Sequence, residues 1–163
     1  MRILAIDPGT HESGWVVYDI DGGTVLNGAV TDNDALLCGL VDQEPFETVD
    51  MHLAIEMIAS YGMPVGREVF ETCVWIGRFI QAAQIEHTFI YRRDVKRHVC
   101  NNAHAKDSNI RQALIDRFGG SKEAAIGLKK TPGPLYGFKS HMWAALAVAV
   151  THGDALNDAS LPW

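Results

Sequence analysis

Three side chains in this sequence could do chemistry by type and position: Asp7, Glu56 and His141. Asp7 lies in Ile6-Asp7-Pro8-Gly9-Thr10, at the end of the apolar run Ile3-Leu4-Ala5-Ile6. A carboxylate at the tip of a buried strand, followed by a Pro-Gly turn, suits a metal ion or a phosphate at the rim of a sheet. Glu56 ends a second run, Val49 to Ile55, and Met57-Ile58 follow it, so its charge has apolar neighbours on both sides. Sites in α/β sheets are built at strand ends. If these two strands are neighbours, the carboxylates converge, and they repel unless a cation lies between them. Mg²⁺ takes few carboxylates and keeps waters for a substrate phosphate. Two such ions ~3.5–4 Å apart would serve phosphodiester cleavage. The plain alternative is that each acid only opens a turn. His141 begins the final helical pattern, just after a Lys-rich loop. There it could ligate a metal or move a proton; equally, it could be a capping or core residue.

These groups need elements to hold them. Strand patterns over Arg2–Asp7, Gly14–Asp19 and Val25–Val30 read as an antiparallel meander, with Asp21-Gly22-Gly23 as a hairpin turn. Thr31 or Asp32 could cap a short helix, Ala35–Val41. The strand Val49–Glu56 follows, then a loop from Tyr61 to Gly66. Val69, Phe70, Cys73, Ile76, Gly77, Ile80 and Ala83 recur at helical spacing and predict a helix over Arg67–Glu86. His87–Tyr91 reads as a fifth strand. Asp94–Val99 and Ser108–Phe118 read as helices, the second ended by Gly119-Gly120. Leu128–Gly137 reads as a loop and Ser140–His152 as an Ala/Val-rich closing helix. The expected architecture is one α/β domain, residues 1–156, with a C-terminal tail at 157–163. Its sheet is mixed and five-stranded, an antiparallel meander followed by parallel strands, flanked by helices.

The chain has 163 residues and a formal charge of −6. The charge is uneven. Arg92 to Lys139 holds 11 Lys and Arg against 4 Asp and Glu, while the rest holds 3 against 16. A basic segment on an acidic chain suggests a localised polyanion-binding face, although charge runs are often only solvated surface. Cys38, Cys73 and Cys100 are widely spaced and read as reduced, buried thiols. No apolar run reaches the ~18 residues that would span a bilayer, and the N-terminus leads into a strand pattern rather than a signal peptide. The expected location is the cytoplasm, with no membrane partner.

Ile6-Asp7-Pro8-Gly9-Thr10 with the following Gly14-Trp15-Val16-Val17 strand, Ala54-Ile55-Glu56 at a strand end, Arg93-Asp94-Val95-Lys96 after the fifth strand, and Ala144-Ala145-Leu146-Ala147-Val148-Ala149-Val150-Thr151-His152 in the last helix occur in one order. Together they resemble the RuvC family of Holliday junction resolvases over nearly the whole chain. The His141-Met142-Trp143-Ala144 form is most similar to phage-encoded members. The resemblance implies a ribonuclease H-like fold, a homodimer formed through helix 67–86, and two Mg²⁺ ions per site, with Mn²⁺ also active. It implies a crossover junction endodeoxyribonuclease of DNA recombination and repair, making paired nicks that leave 5′-phosphates. Asp7, Glu56 and His141 would be the metal ligands and Lys106 a catalytic phosphate contact. A second helix position, three residues after His141, is acidic or His in the family; here it is Ala144, which binds nothing. Glu12, Ser13 and Asp107 are local substitutes if loops fold over the site. Asp154 lies too far along the helix, about 20 Å beyond His141.

Under the same resemblance Thr10, Arg92, Arg93, Lys96, Arg97, Ser108, Arg111, Lys129, Lys130 and Lys139 are candidate DNA contacts. Tyr61, with Met63 and Val65, would approach the junction centre. The Asp-x-Gly-Thr turn also occurs in actin-like kinases and ATPases, but those enclose a nucleotide between two lobes, so no nucleotide cofactor is expected here. Two other readings remain: a junction-binding module whose cleavage is weakened or lost through Ala144, and a ribonuclease H-like nuclease acting on RNA.

Overall fold

The computed structural model describes residues 1–44, Phe46 and 50–158. Strands β1 (Arg2–Asp7), β2 (Glu12–Asp19) and β3 (Thr24–Asp32) form the expected antiparallel meander. β4 (Met51–Met57) pairs parallel with β1, and β5 (His87–Tyr91) parallel with β4. The sheet order is therefore β3-β2-β1-β4-β5. This is the mixed five-stranded sheet of a ribonuclease H-like fold. Val49, the expected start of β4, lies outside the described residues.

Helix α1 (Asn33–Asp42) is capped by Asp32, whose carboxylate accepts from the amides of Asp34 and Ala35 at 3.0 and 3.3 Å. Helix α2 (Arg67–Ala83) stops short of the expected Glu86, because Gln84 turns left-handed with φ 51° and its amide closes on the Ile80 carbonyl. α3 (Arg92–Cys100) starts directly at the end of β5, two residues earlier than its apolar pattern suggests. α4 (Asp107–Gly119) ends at the left-handed Gly120, as expected.

Between α4 and the last helix, where the sequence predicts only a loop at 128–137, two short features form. A single turn, α5 (Lys122–Ala125), precedes a minimal hairpin of β6 (Gly127–Leu128) and β7 (Thr131–Pro132). Two-residue strands carry no periodicity, so sequence pattern cannot show them. Lys129 and Lys130 form the hairpin's tip. The last helix, α6 (Met142–Asn157), runs five residues past the expected His152 and takes the first residue of the supposed tail. Residues 159–163 of that tail lie outside the described residues.

Alternation along the strands divides the core in two. Ile3, Ala5, Val16, Tyr18, Ala54 and Ile90 face α3, α4, α5 and α6. Leu4, Ile6, Trp15, Val17, Leu53 and Ile55 face α1 and α2. Helix α6 is buried around most of its circumference because it lies between the sheet and the outer helices. This explains its Ala and Val content, since small residues allow approach on several sides. The three cysteines are free; Cys38 is exposed and the other two half-buried, not fully buried as expected. Cys100 packs against the edge of the core.

Candidate active site

Parallel pairing of β1 with β4 sets Ile6 against Ile55, so Asp7 and Glu56 follow as neighbours at the same sheet end. Both continue the rows that face α6: Ile3, Ala5, Asp7 on one strand and Ala54, Glu56 on the other. The period of two thus puts both carboxylates on one face.

The turn after Asp7 is locked by two buried polar residues. Ser13 Oγ accepts from the Gly9 amide at 3.2 Å and donates to Asn33 Oδ1 at 2.7 Å. Asn33 Nδ2 donates back to the Gly9 carbonyl at 2.9 Å. A Cβ at Gly9 would lie 2.3 Å from the Glu12 carbonyl oxygen, so only glycine allows this turn. Ser13 is fully buried in this clamp and is therefore not a substitute ligand.

His141 is delivered by the start of α6. A Cβ on Gly14 would lie 2.3 Å from the His141 carbonyl carbon. The helix start therefore rests on bare backbone in β2, which brings the imidazole down to the strand ends. His141 Nδ1 lies 2.7 Å from Asp7 Oδ2. This hydrogen bond raises the His141 pKa above its ordinary value, against the opposing effect of burial.

Arg92 behaves differently from the expectation of a surface DNA contact. It follows β5 directly, and β5 pairs Ile90 with Glu56. Its guanidinium reaches Glu56 Oε2 at 3.3 Å with one arm and Asp107 Oδ1 at 2.6 Å with the other. Asp107, the first residue of α4, thus joins the site, while Lys106 beside it is exposed and points no group into the cleft wall. Burial, with the Asp7 charge second, pushes the Glu56 carboxyl up to about 7 despite Arg92. Asp7, Glu56, Arg92, Asp107, Ile110, Ser140, His141, Trp143 and Ala144 line one open cleft of about 400 Å³.

A carboxyl raised this far is an acid short of positive charge. Two half-buried carboxylates converging in a cleft, the Glu56 carboxyl held well above its ordinary pKa, fit a divalent cation with waters completing its shell. Asp7 and Glu56 are the groups that could hold one, with His141 beside Asp7.

The remaining expected contacts are dispersed. Thr10 is half-buried in the turn after Asp7. Arg93 and Arg97 are exposed on α3 and Lys96 is half-buried there. Ser108 and Arg111 are exposed on α4, with the Arg111 guanidinium 4.7 Å from the centre of the Trp143 ring at the cleft wall. Lys139 is exposed next to cleft-lining Ser140. Lys129 and Lys130 project from the β6–β7 tip. Tyr61, Met63 and Val65 are all exposed in the loop after β4, Met63 most of all at 73%. Asp154 is taken by Arg117 and His98 at 2.7 Å each, at the other end of α6.

Sequence reasoning missed the roles of Arg92, Asn33 and Gly14. For Arg92 one signal existed: a charge immediately after a strand expected beside the Glu56 strand.

No family model and no curated protein sequence matches the chain. Solved structures do. The Thermus thermophilus RuvC structure superposes with a TM-score of 0.67 at 19% identity, covering 96% of each chain. A structure of that protein in complex with a Holliday junction substrate gives a TM-score of 0.68 at 18% identity, again covering 96% of each chain. The chain has the RuvC-like, ribonuclease H-like fold along essentially its whole length.

Proposed function

We propose that this chain is a Mg²⁺-dependent, structure-selective DNA endonuclease that resolves four-way junctions and related branched DNA. The observation that carries the reading is the convergence of Asp7 and Glu56 at adjacent strand ends in an open cleft, on a fold shared with a junction-binding protein. Asp7 and Glu56 would hold the ions. Bound Mg²⁺ supplies positive charge to the phosphodiester and makes water nucleophilic near neutral pH. His141, held by Asp7, is positioned to move a proton. Water would attack in line, its oxygen bonding to phosphorus as the bond to the 3′-oxygen breaks, and the product would keep a 5′-phosphate. Lys106, Arg93, Arg97, Arg111, Lys129, Lys130 and Lys139 would steady backbone phosphates around the cleft. Mn²⁺ would substitute for Mg²⁺. The proposed location is the cytoplasm; among the described residues no helix is long and apolar enough to cross a membrane.

Helix α2 supports a homodimer. Its inner face, Thr72, Ile76, Phe79 and Ala83, is buried, while Phe70 and Val74 are 61% and 63% exposed. A second copy of the chain would cover them.

A junction-binding protein without cleavage is the competing reading, and the presence of Ala144 in the cleft wall favours it. A cleavage assay on four-way junctions, forks and linear duplex, with and without Mg²⁺, separates the two. Asp7→Asn should keep junction binding and lose Mg²⁺-dependent nicking. Equal cutting by that variant would discard the site, and no cutting by the parent on any branched substrate would favour the binding module.

A further inference from the structure

The cleft contains three carboxylates, not two. Asp107 enters it from α4, which neither β1 nor β4 supplies, and it shares Arg92 with Glu56. Ala144, one turn into α6 from His141, lines the same cleft and offers only a methyl group. Asp107 is 77% exposed, so its short side chain has room to turn. At the first position of a 13-residue helix its negative charge is favoured by the helix dipole.

We propose that Asp107 is the third acidic ligand of this site, supplied from α4 where α6 has Ala144, and that Arg92 is the cation that holds Glu56 and Asp107 until a divalent ion displaces it. The inference rests on the metal-dependent nuclease reading above. A guanidinium and a dication cannot both sit between the same two carboxylates, because like charges a few ångströms apart repel. Among the described residues, no three His, Cys, Asp or Glu side chains converge on one point. What separates Glu56 from Asp107 is the guanidinium itself, with one acid on each arm. Withdrawing Arg92 toward the cleft mouth lets the acids close on an ion and leaves the guanidinium where a phosphate would enter.

Binding of Mn²⁺ alone, followed by the electron paramagnetic resonance of the free ion, tests this without turnover. Asp107→Asn should bind at least about tenfold more weakly, since even an outer-shell partner at a metal site is worth roughly 10–100-fold in affinity. Arg92→Gln should bind more tightly than the parent, since the competing charge is gone. Adding Ala144→Asp to Asp107→Asn should recover the lost affinity. Asn has the shape of Asp at the first residue of α4, and thermal melts in chelator check that each variant folds. Unchanged Mn²⁺ affinity in Asp107→Asn, or weaker binding in Arg92→Gln, would overturn the proposal while leaving the nuclease reading intact. A parent chain that binds no Mn²⁺ would remove both.

Discussion

Glu56→Gln should make the ion-free protein more stable, even though it removes a group proposed to be essential. The Glu56 carboxyl sits at about 7, against an ordinary value of 4.5. Burial is the main cause and Asp7 the second, and Arg92 offsets them only in part. A carboxyl whose folded pKa is raised holds its proton in the native state where the unfolded chain has released it. Stability is therefore lost as pH rises from about 4.5 to about 7, and stays lost above. The penalty works out at about 1 kcal/mol at pH 5 and about 3 kcal/mol at pH 8. Gln has the same shape, no charge to desolvate, and an oxygen that still accepts from Arg92. Its gain over the parent should accordingly be about 2 kcal/mol larger at pH 8 than at pH 5. For a chain of this size that difference is roughly 4–8 °C in Tm. Thermal melts in chelator at the two pH values read it directly. Mg²⁺ at about 1,000 times its Kd should then reverse the ranking, because it adds about 4.1 kcal/mol to a protein that binds it, more than the Gln variant gains at pH 8, and nothing to one that does not. A Glu56→Gln protein less stable than the parent at pH 8 without ions would show that Glu56 is a satisfied structural acid and not one that seeks a cation.

Two other expectations can be checked beside it. His141→Gln should slow nicking by about 10²-fold or more, the usual scale for a proton-moving group. Because Asp7 raises the His141 pKa, the ion-free pair contributes stability at pH 6 that fades as pH climbs past the raised value, so this variant's melting deficit should shrink toward pH 9. A deficit independent of pH would mean that the imidazole is merely packed. Replacing Lys129 and Lys130 by Ala should weaken junction binding at low salt and flatten the plot of log affinity against log salt by about 2, one counterion per lost phosphate contact. An unaltered slope would place the β6–β7 tip away from DNA.

The sheet was legible because its signals are local and repeated. Short apolar runs rich in β-branched and aromatic residues mark β1, β2 and β5, and Asp21-Gly22-Gly23 marks the hairpin between β2 and β3. The helices were legible in their middles and less so at their ends. α2 stops at Gln84, a residue with no special taste for a left-handed conformation, because β5 must begin three residues later. α6 continues past His152 because Asp154 is fastened to Arg117 and His98 on the neighbouring helices, a tertiary tie that no local pattern announces.

The site divides along the same line. Asp7 and Glu56 could be paired from sequence because each ends an apolar strand, and a parallel β1–β4 pairing then leaves them nowhere else to go. His141 could be added because its helix starts after a loop long enough to return to that sheet end. Arg92 could not be read in this way. As one of 11 basic residues between Arg92 and Lys139 it looks like part of a polyanion surface. What removes it from that set is the register of β5, which sets Ile90 against Glu56 and so carries the next-but-one side chain across the cleft to Asp107. A residue's type states what it can bind; only the register of its strand states what it has already bound. The same consideration bears on Ala144. Read alone, it is a missing ligand and an argument against catalysis. Read with Asp107 in the same cleft, it is one position in a site whose negative charge can be supplied from another helix, and the count of acids on α6 ceases to decide whether the site can hold an ion.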